Sequence, residues 1–100
     1  MHDPNPTPDQ IRAHVFVGGK VQGVGYRYAT LNAAKRLGVR GWVQNLRDGR
    51  VEAVFEGEQE VVEQMIDWCY QGSPAAVVTN VMVEYEDMEG LQEFELRSSY

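Results

Sequence analysis

The sequence predicts an α+β sandwich of the split β-α-β kind, a mixed and mostly antiparallel sheet with two helices on one face. Three observations predict it. The hydrophobic period switches between two and 3.6 along the chain in the order β-α-β-β-α-β, with a short final strand added. An Arg47-Asp48-Gly49 turn sits between two alternating runs and marks a hairpin in the middle. The chain has 100 residues of which 43% are hydrophobic, enough for one core and too short for two.

Residues 1–10 hold three prolines, two aspartates and an asparagine, and read as a flexible tail ahead of a domain over 11–100. Ile11 to Val17 alternates, with Ile11, Ala13, Val15 and Val17 on one side and Arg12, His14 and Phe16 on the other. Gly18-Gly19 ends this strand. From about Gly25 the spacing becomes helical through Tyr26, Ala29 or Thr30, Ala33 and Leu37, and Gly38 stands where a helix-terminating glycine belongs. Val39 to Leu46 and Arg50 to Glu56 are the hairpin strands, with Val51, Ala53 and Phe55 on one face. Glu58 to Gln71 is a second amphipathic helix with a stripe of Val62, Met65, Ile66 and Cys69, and acids in its first turns suit the helix dipole. Gly72-Ser73-Pro74 stops it. Val77 to Tyr85 is a fourth strand and Glu93 to Arg97 a short fifth. This is the ferredoxin-like arrangement, and it hosts many unrelated functions.

The formal net charge is -6, which disfavours a nucleic-acid-coating protein. Its distribution is uneven. Residues 1–51 carry eight basic residues against three acids, and residues 52–100 carry Arg97 alone against twelve. The basic residues crowd between Lys20 and Arg50, which fits a small anion site better than a polyanion surface. The single cysteine, Cys69, excludes an internal disulfide and fits a reducing compartment. There is no apolar run of membrane-spanning length and no signal-peptide pattern, so a cytoplasmic protein is expected.

Chemistry concentrates in two segments. The first is Gly18-Gly19-Lys20-Val21-Gln22-Gly23-Val24-Gly25-Tyr26-Arg27, feeding directly into a helix. Four glycines in eight positions signal unusual backbone geometry. A glycine-rich turn at a helix N-terminus points several N–H groups into one concavity, and these together with the helix dipole favour an anion. Arg27 lies just inside the helix, and its planar fork suits phosphate. The magnesium-nucleotide pattern is absent, because Val24-Gly25 follows Gly23 where Lys-Ser/Thr would be required, and the dinucleotide pattern fails at Tyr28. The second segment is Gly41 to Glu52, with Asn45 at a strand end beside the hairpin turn. Its amide can accept and donate at once. The first strand of a split β-α-β sheet is central, so an asparagine on a neighbouring strand could approach the loop after it. Cys69 is expected in the core and His14 on a sheet face, so neither is a persuasive nucleophile. Trp42 is expected in the core or a pocket wall. Glu52 and Glu56 lie on the strand face opposite Val51, so a catalytic carboxylate pair is not expected there, and the acidic second half as a whole reads as a solvated surface.

At these residues the chain resembles the acylphosphatases. Their first signature, G-x-V-Q-G-V-x-[FM]-R, matches Gly19 to Arg27 with Tyr26 as one departure, and their second, G-[FYW]-[AVC]-[KRQAM]-N-x-x-x-G-x-V, matches Gly41 to Val51. The resemblance extends over about Ile11 to Arg97. It implies hydrolysis of the carboxyl–phosphate bond of acyl phosphates to a carboxylate and inorganic phosphate, without a metal, another cofactor or a phosphoenzyme. Carried over, Gly19, Lys20, Val21, Gln22, Gly23 and Val24 with Arg27 hold the phosphoryl group, and Asn45 positions the attacking water. The implied partners are a small acyl phosphate and inorganic phosphate, the latter as product and competitive inhibitor. Neither nucleic acid nor membrane is implied, and a monomer is expected. The rival reading is a non-catalytic acylphosphatase-like module that binds phosphate or carbamoyl phosphate. The chain's end at Tyr100, without a further domain, and the presence of both Arg27 and Asn45 favour the enzyme.

Overall fold

A computed structural model describes residues 9–98. Its elements are β1 (Gln10–Lys20), α1 (Tyr26–Leu37), β2 (Arg40–Asn45), β3 (Val51–Glu58), α2 (Gln59–Gln71), β4 (Val77–Glu86) and β5 (Phe94–Leu96). The five strands form one sheet in the order β4-β1-β3-β2-β5, antiparallel except for the β2–β5 pair. The split β-α-β sandwich is therefore borne out. Of the tail read over residues 1–10, residues 1–8 lie outside the described part. Gln10 already pairs with Glu58, and the Asp9 carbonyl accepts the Gln59 amide at 3.0 Å.

The first strand runs three residues further than its alternation suggests. Gly18 and Gly19 do not end it. They form a register shift against β4, and Lys20 still pairs with Val77. A bulge keeps the ladder while turning the strand end, which re-aims the chain into the following loop.

The core lies between sheet and helices. Ala13, Val15 and Val17 from β1, Val43 from β2 and Val51, Ala53 and Phe55 from β3 meet Ala33 and Ala34 of α1 and Val62, Met65 and Cys69 of α2. Full burial of a side chain such as Val, Phe or Met stabilises by about 1.5–3 kcal/mol. Gly41 stands in register between Phe55 and Phe94. Without a side chain there, the two rings stack across it with centroids 6.0 Å apart, which seats the short β5. Helix α1 ends as its sequence predicts. The amides of Gly38 and Val39 return to the Lys35 and Ala34 carbonyls at 3.3 and 2.9 Å, a Schellman closure, and Lys35 and Arg36 lie in its last turn.

The open face of the sheet is less solvated than simple alternation implies. His14 is held between two carboxylates, with Nδ1 2.7 Å from Glu86 Oε2 and Nε2 2.6 Å from Glu52 Oε2. Two carboxylate acceptors favour donation from both ring nitrogens, that is, the imidazolium form. Burial pushes its pKa down, but the bonds to Glu86 and Glu52 outweigh this and raise it. Trp42 is not in the core. Gly41 and Val43 take the inward positions, so Trp42 faces outward, half-buried, with the Arg97 guanidinium 4.1 Å above its ring. Glu56, read as solvated, is 0% exposed and pairs with Arg12 at 2.8 Å.

The His14 clasp gives stability a pH signature. A raised folded pKa contributes fully below the ordinary imidazole value of 6.5 and is lost as pH rises through the folded value. The lowered carboxyls of Glu56 and Glu86 act oppositely, losing their contribution as pH falls below the ordinary carboxylate range. Thermal melts across pH should show a plateau between these limits and a decline on the alkaline side that His14→Gln removes. The same alkaline decline in wild type and His14→Gln would show that the clasp does not set it.

Candidate active site

The segment between β1 and α1 is only Val21 to Gly25. Gly23 and Gly25 adopt φ values of +73° and +78°, and no side chain occupies the space above either. In the left-handed region a Cβ would be strained, so glycine lets the main chain turn sharply into the helix. Gly25 is the N-cap of α1, no side chain caps the helix, and its first turn holds no acid. The first-turn amides, which lack intrahelical acceptors, carry the positive end of the helix dipole towards a hollow of about 280 Å³.

Val21, Gly23, Arg27 and Asn45 line this hollow, joined by Gly25 and by the aromatic residues Tyr26 and Tyr28. Four of the residues expected from sequence thus meet in one place. Gly19 and Lys20 are the last two residues of β1, paired to Val78 and Val77, and lead into the loop. Gln22 turns its side chain away from the helix. Its Nε2 donates to the carbonyls of Leu46 and Arg50 at 2.7 and 2.9 Å. The Val24 carbonyl accepts from Ser73 Oγ at 2.9 Å, which ties the loop's other flank to the turn after α2.

Asn45 is the last residue of β2, but β2 does not neighbour β1. The order places β3 between them. Asn45 reaches the hollow because the loop after β1 folds over the start of β3, where Val17, Val51 and Asn45 share one row of the sheet.

Arg27 is partly exposed, and its Nη1 donates to the Arg97 carbonyl at 2.8 Å. That carbonyl is fixed in turn, because the Arg97 amide donates to the Val43 carbonyl at 2.9 Å. One N–H of the fork is thereby spent on orientation, and a guanidinium has four others for an anion. Sequence reasoning missed this support. It also missed Tyr28, which is 66% exposed at the rim, and the Gln22 side chain.

Tyr26, the departure from the first signature, is buried, and its hydroxyl donates to the Cys69 carbonyl at 2.8 Å. The extra oxygen is satisfied rather than stranded, so tyrosine replaces phenylalanine without a desolvation penalty. Burial pushes the Cys69 thiol up to about 12, which leaves negligible thiolate near neutral pH. Among the described residues no cluster of three or more His, Cys, Asp or Glu side chains is placed to hold a metal ion, and no helix is long and apolar enough to cross a membrane.

Fold and site together define a small α+β protein with an anion-suited loop at a helix N-terminus, and with an arginine and an asparagine lining the same hollow. The sequence profile of the acylphosphatase family matches residues 13–96. The chain is 62% identical over 96 residues to an acylphosphatase of Nostoc sp., covering 94% of this chain and 95% of that protein. Its structure is similar to that of an acylphosphatase from Coxiella burnetii, with a TM-score of 0.85 and 39% identity over 88% of this chain and 93% of the other. The crystal structure of the acylphosphatase from Bacillus subtilis is equally similar, with a TM-score of 0.85 and 34% identity over 87% of this chain and 98% of the other. The chain belongs to the acylphosphatase family.

Proposed function

We propose that the amides of the 19–24 segment and the Arg27 guanidinium hold the phosphoryl group of an acyl phosphate while Asn45 positions the attacking water. The overall reaction, hydrolysis of a carboxyl–phosphate bond, follows from family membership and from relatives about 60% identical over nearly the whole chain. The observation that carries the residue assignment is the meeting of the glycine-rich turn, Arg27 and Asn45 on one hollow.

The chemistry asks little more of the protein. The water oxygen forms a bond to phosphorus as the bridging P–O bond breaks. The electron pair leaves with the carboxylate, and both water protons end on the phosphate or exchange with solvent. A carboxylate leaves readily, so a strong general acid is unnecessary. Positioning and stabilisation of charge on the equatorial oxygens dominate such a transfer. The loop amides at the positive end of the α1 dipole and a fixed guanidinium supply that stabilisation. The amide of Asn45 can hold a water in line by accepting from it while donating to a phosphoryl oxygen. The enzyme works as a cytoplasmic monomer, with inorganic phosphate as product and competitive inhibitor.

The test is hydrolysis of benzoyl phosphate by the purified chain in EDTA, with inorganic phosphate as competitor. Turnover inhibited by phosphate is expected. Phosphate binding without turnover would make the chain a binding module instead. In Asn45→Ala, kcat should fall about 10²-fold, the usual effect of losing one well-placed donor, with phosphate inhibition retained. A near-normal kcat in that variant would remove Asn45 from the water.

A further inference from the structure

The loop and the hairpin that carry the two halves of the site belong to strands that do not touch. Sheet pairing through β3 fixes Asn45 relative to Val17, but it does not extend to the loop that follows β1. The β1–β3 ladder ends at Val17–Val51, and the β2–β3 ladder ends at Asn45–Val51. Beyond this shared row the strands part, β1 towards its bulge and β2 into the turn. Asn45 stands on the last rung, and the phosphate-suited loop begins four residues after Val17.

The Gln22 side chain crosses this gap. Its amide hydrogens go to two carbonyls, Leu46 at 2.7 Å and Arg50 at 2.9 Å. These are the carbonyls that close the hairpin. Arg50 O also accepts the Leu46 amide at 2.8 Å, and Leu46 O the Gly49 amide at 3.2 Å. One side chain from the middle of the loop thus takes both acceptors at the mouth of the turn, immediately after Asn45. Two bonds from one planar amide fix direction as well as distance, and a single bond would leave the loop free to pivot. A further side-chain tie, Ser73 to Val24, anchors the loop to the turn after α2 rather than to the hairpin.

We infer that Gln22 is a positioning residue: its side chain sets the separation between the phosphoryl-holding loop and the water-orienting Asn45. The inference rests on the roles proposed above for the loop and Asn45. The main-chain amide of Gln22 faces the phosphoryl group in that reading, and its side chain acts through the hairpin.

The prediction separates this role from a merely structural one. Gln22→Met keeps length and volume and removes both donors. A misplacement of about 1 Å between reacting groups costs up to about 10²-fold, so kcat should fall by about 10- to 100-fold on benzoyl phosphate. Inhibition by inorganic phosphate should change less than about 3-fold, because the loop amides and Arg27 remain. In an Asn45→Ala background the same substitution should cost less than about 2-fold in kcat, since the group being positioned is gone. Gln22→Ala carries the same expectations if the methionine variant does not fold. Three results overturn the inference: a wild-type kcat in Gln22→Met, a phosphate affinity that falls as far as kcat, or an undiminished loss in the Asn45→Ala background. Normal turnover in Asn45→Ala alone would instead refute the water assignment, and with it any action of Gln22 through Asn45. A slow Asn45→Ala beside a wild-type Gln22→Met would refute the positioning role alone.

Discussion

Arg27→Gln should lower kcat/KM for benzoyl phosphate by about 10²–10⁴-fold and weaken phosphate inhibition in parallel. Glutamine keeps N–H donors but loses the charge and the reach. Its two hydrogens cannot both face the hollow and satisfy the Arg97 carbonyl that now accepts from Nη1 at 2.8 Å. In the transition state, charge spreads over the equatorial phosphoryl oxygens. A fixed cation beside them acts where much of the water is displaced, and there it is worth several kcal/mol. Ground state and transition state both carry phosphoryl charge, so binding and turnover should fall together, unlike the pattern for Asn45→Ala. The residue is partly exposed, and its Cα lies in the second position of α1, so the fold should survive with an unchanged melting curve. Equal phosphate affinity in Arg27→Gln and wild type would remove the arginine from the cradle.

Most of what positions this site is legible in the residues. Period changes locate every element to within a few positions, because each strand buries one face and each helix one stripe. The loop is legible because glycine is scarce in ordered segments unless the backbone needs it. What is not legible depends on which chain segment passes over a given face. Alternation places Arg12, His14, Glu52 and Glu56 on the side opposite the core, and alternation alone makes that side wet. The structure brings the turn at 89–91 across it and buries Glu56. Nothing in the local sequence of β3 announces this cover. The strand order hides a second fact. Chain order suggests that β1 and β2 flank each other, but the hairpin inserts β3 between them. The contact from Gln22 to Leu46 and Arg50 follows from that insertion, and a one-dimensional motif records the glutamine without its reason.

Glu56→Gln should destabilise the fold by about 3–5 kcal/mol while leaving the turnover of the folded protein unchanged. The carboxylate has four acceptor positions, and all are used. Oε1 accepts from the amides of Gly90 and Leu91 at 3.1 and 2.9 Å, and Oε2 from the amide of Glu89 at 2.9 Å and from Arg12 Nη1 at 2.8 Å. Burial disfavours the ionised form, but these donors outweigh it and hold the carboxyl below its usual range. An amide of the same shape supplies one oxygen. Its NH₂ group would face donors, and Arg12, only 7% exposed, would lose its most buried partner while keeping Glu86 at 3.0 Å. Leaving a cation buried against misdirected donors costs far more than the intact pair contributes. The control removes both charges. Arg12→Met with Glu56→Leu should recover part of the loss in urea unfolding, because an apolar pair needs no partners, although the three loop amides would still lack their acceptor. Glu56 lies five residues along β3 from Val51, roughly 16 Å at strand spacing, so the hollow should be undisturbed. A loss under about 1 kcal/mol for Glu56→Gln would mean that water already reaches these donors. A double variant no better than the single would place the cost in the loop amides rather than in the weakened pairing of Arg12, which keeps Glu86 and Glu89.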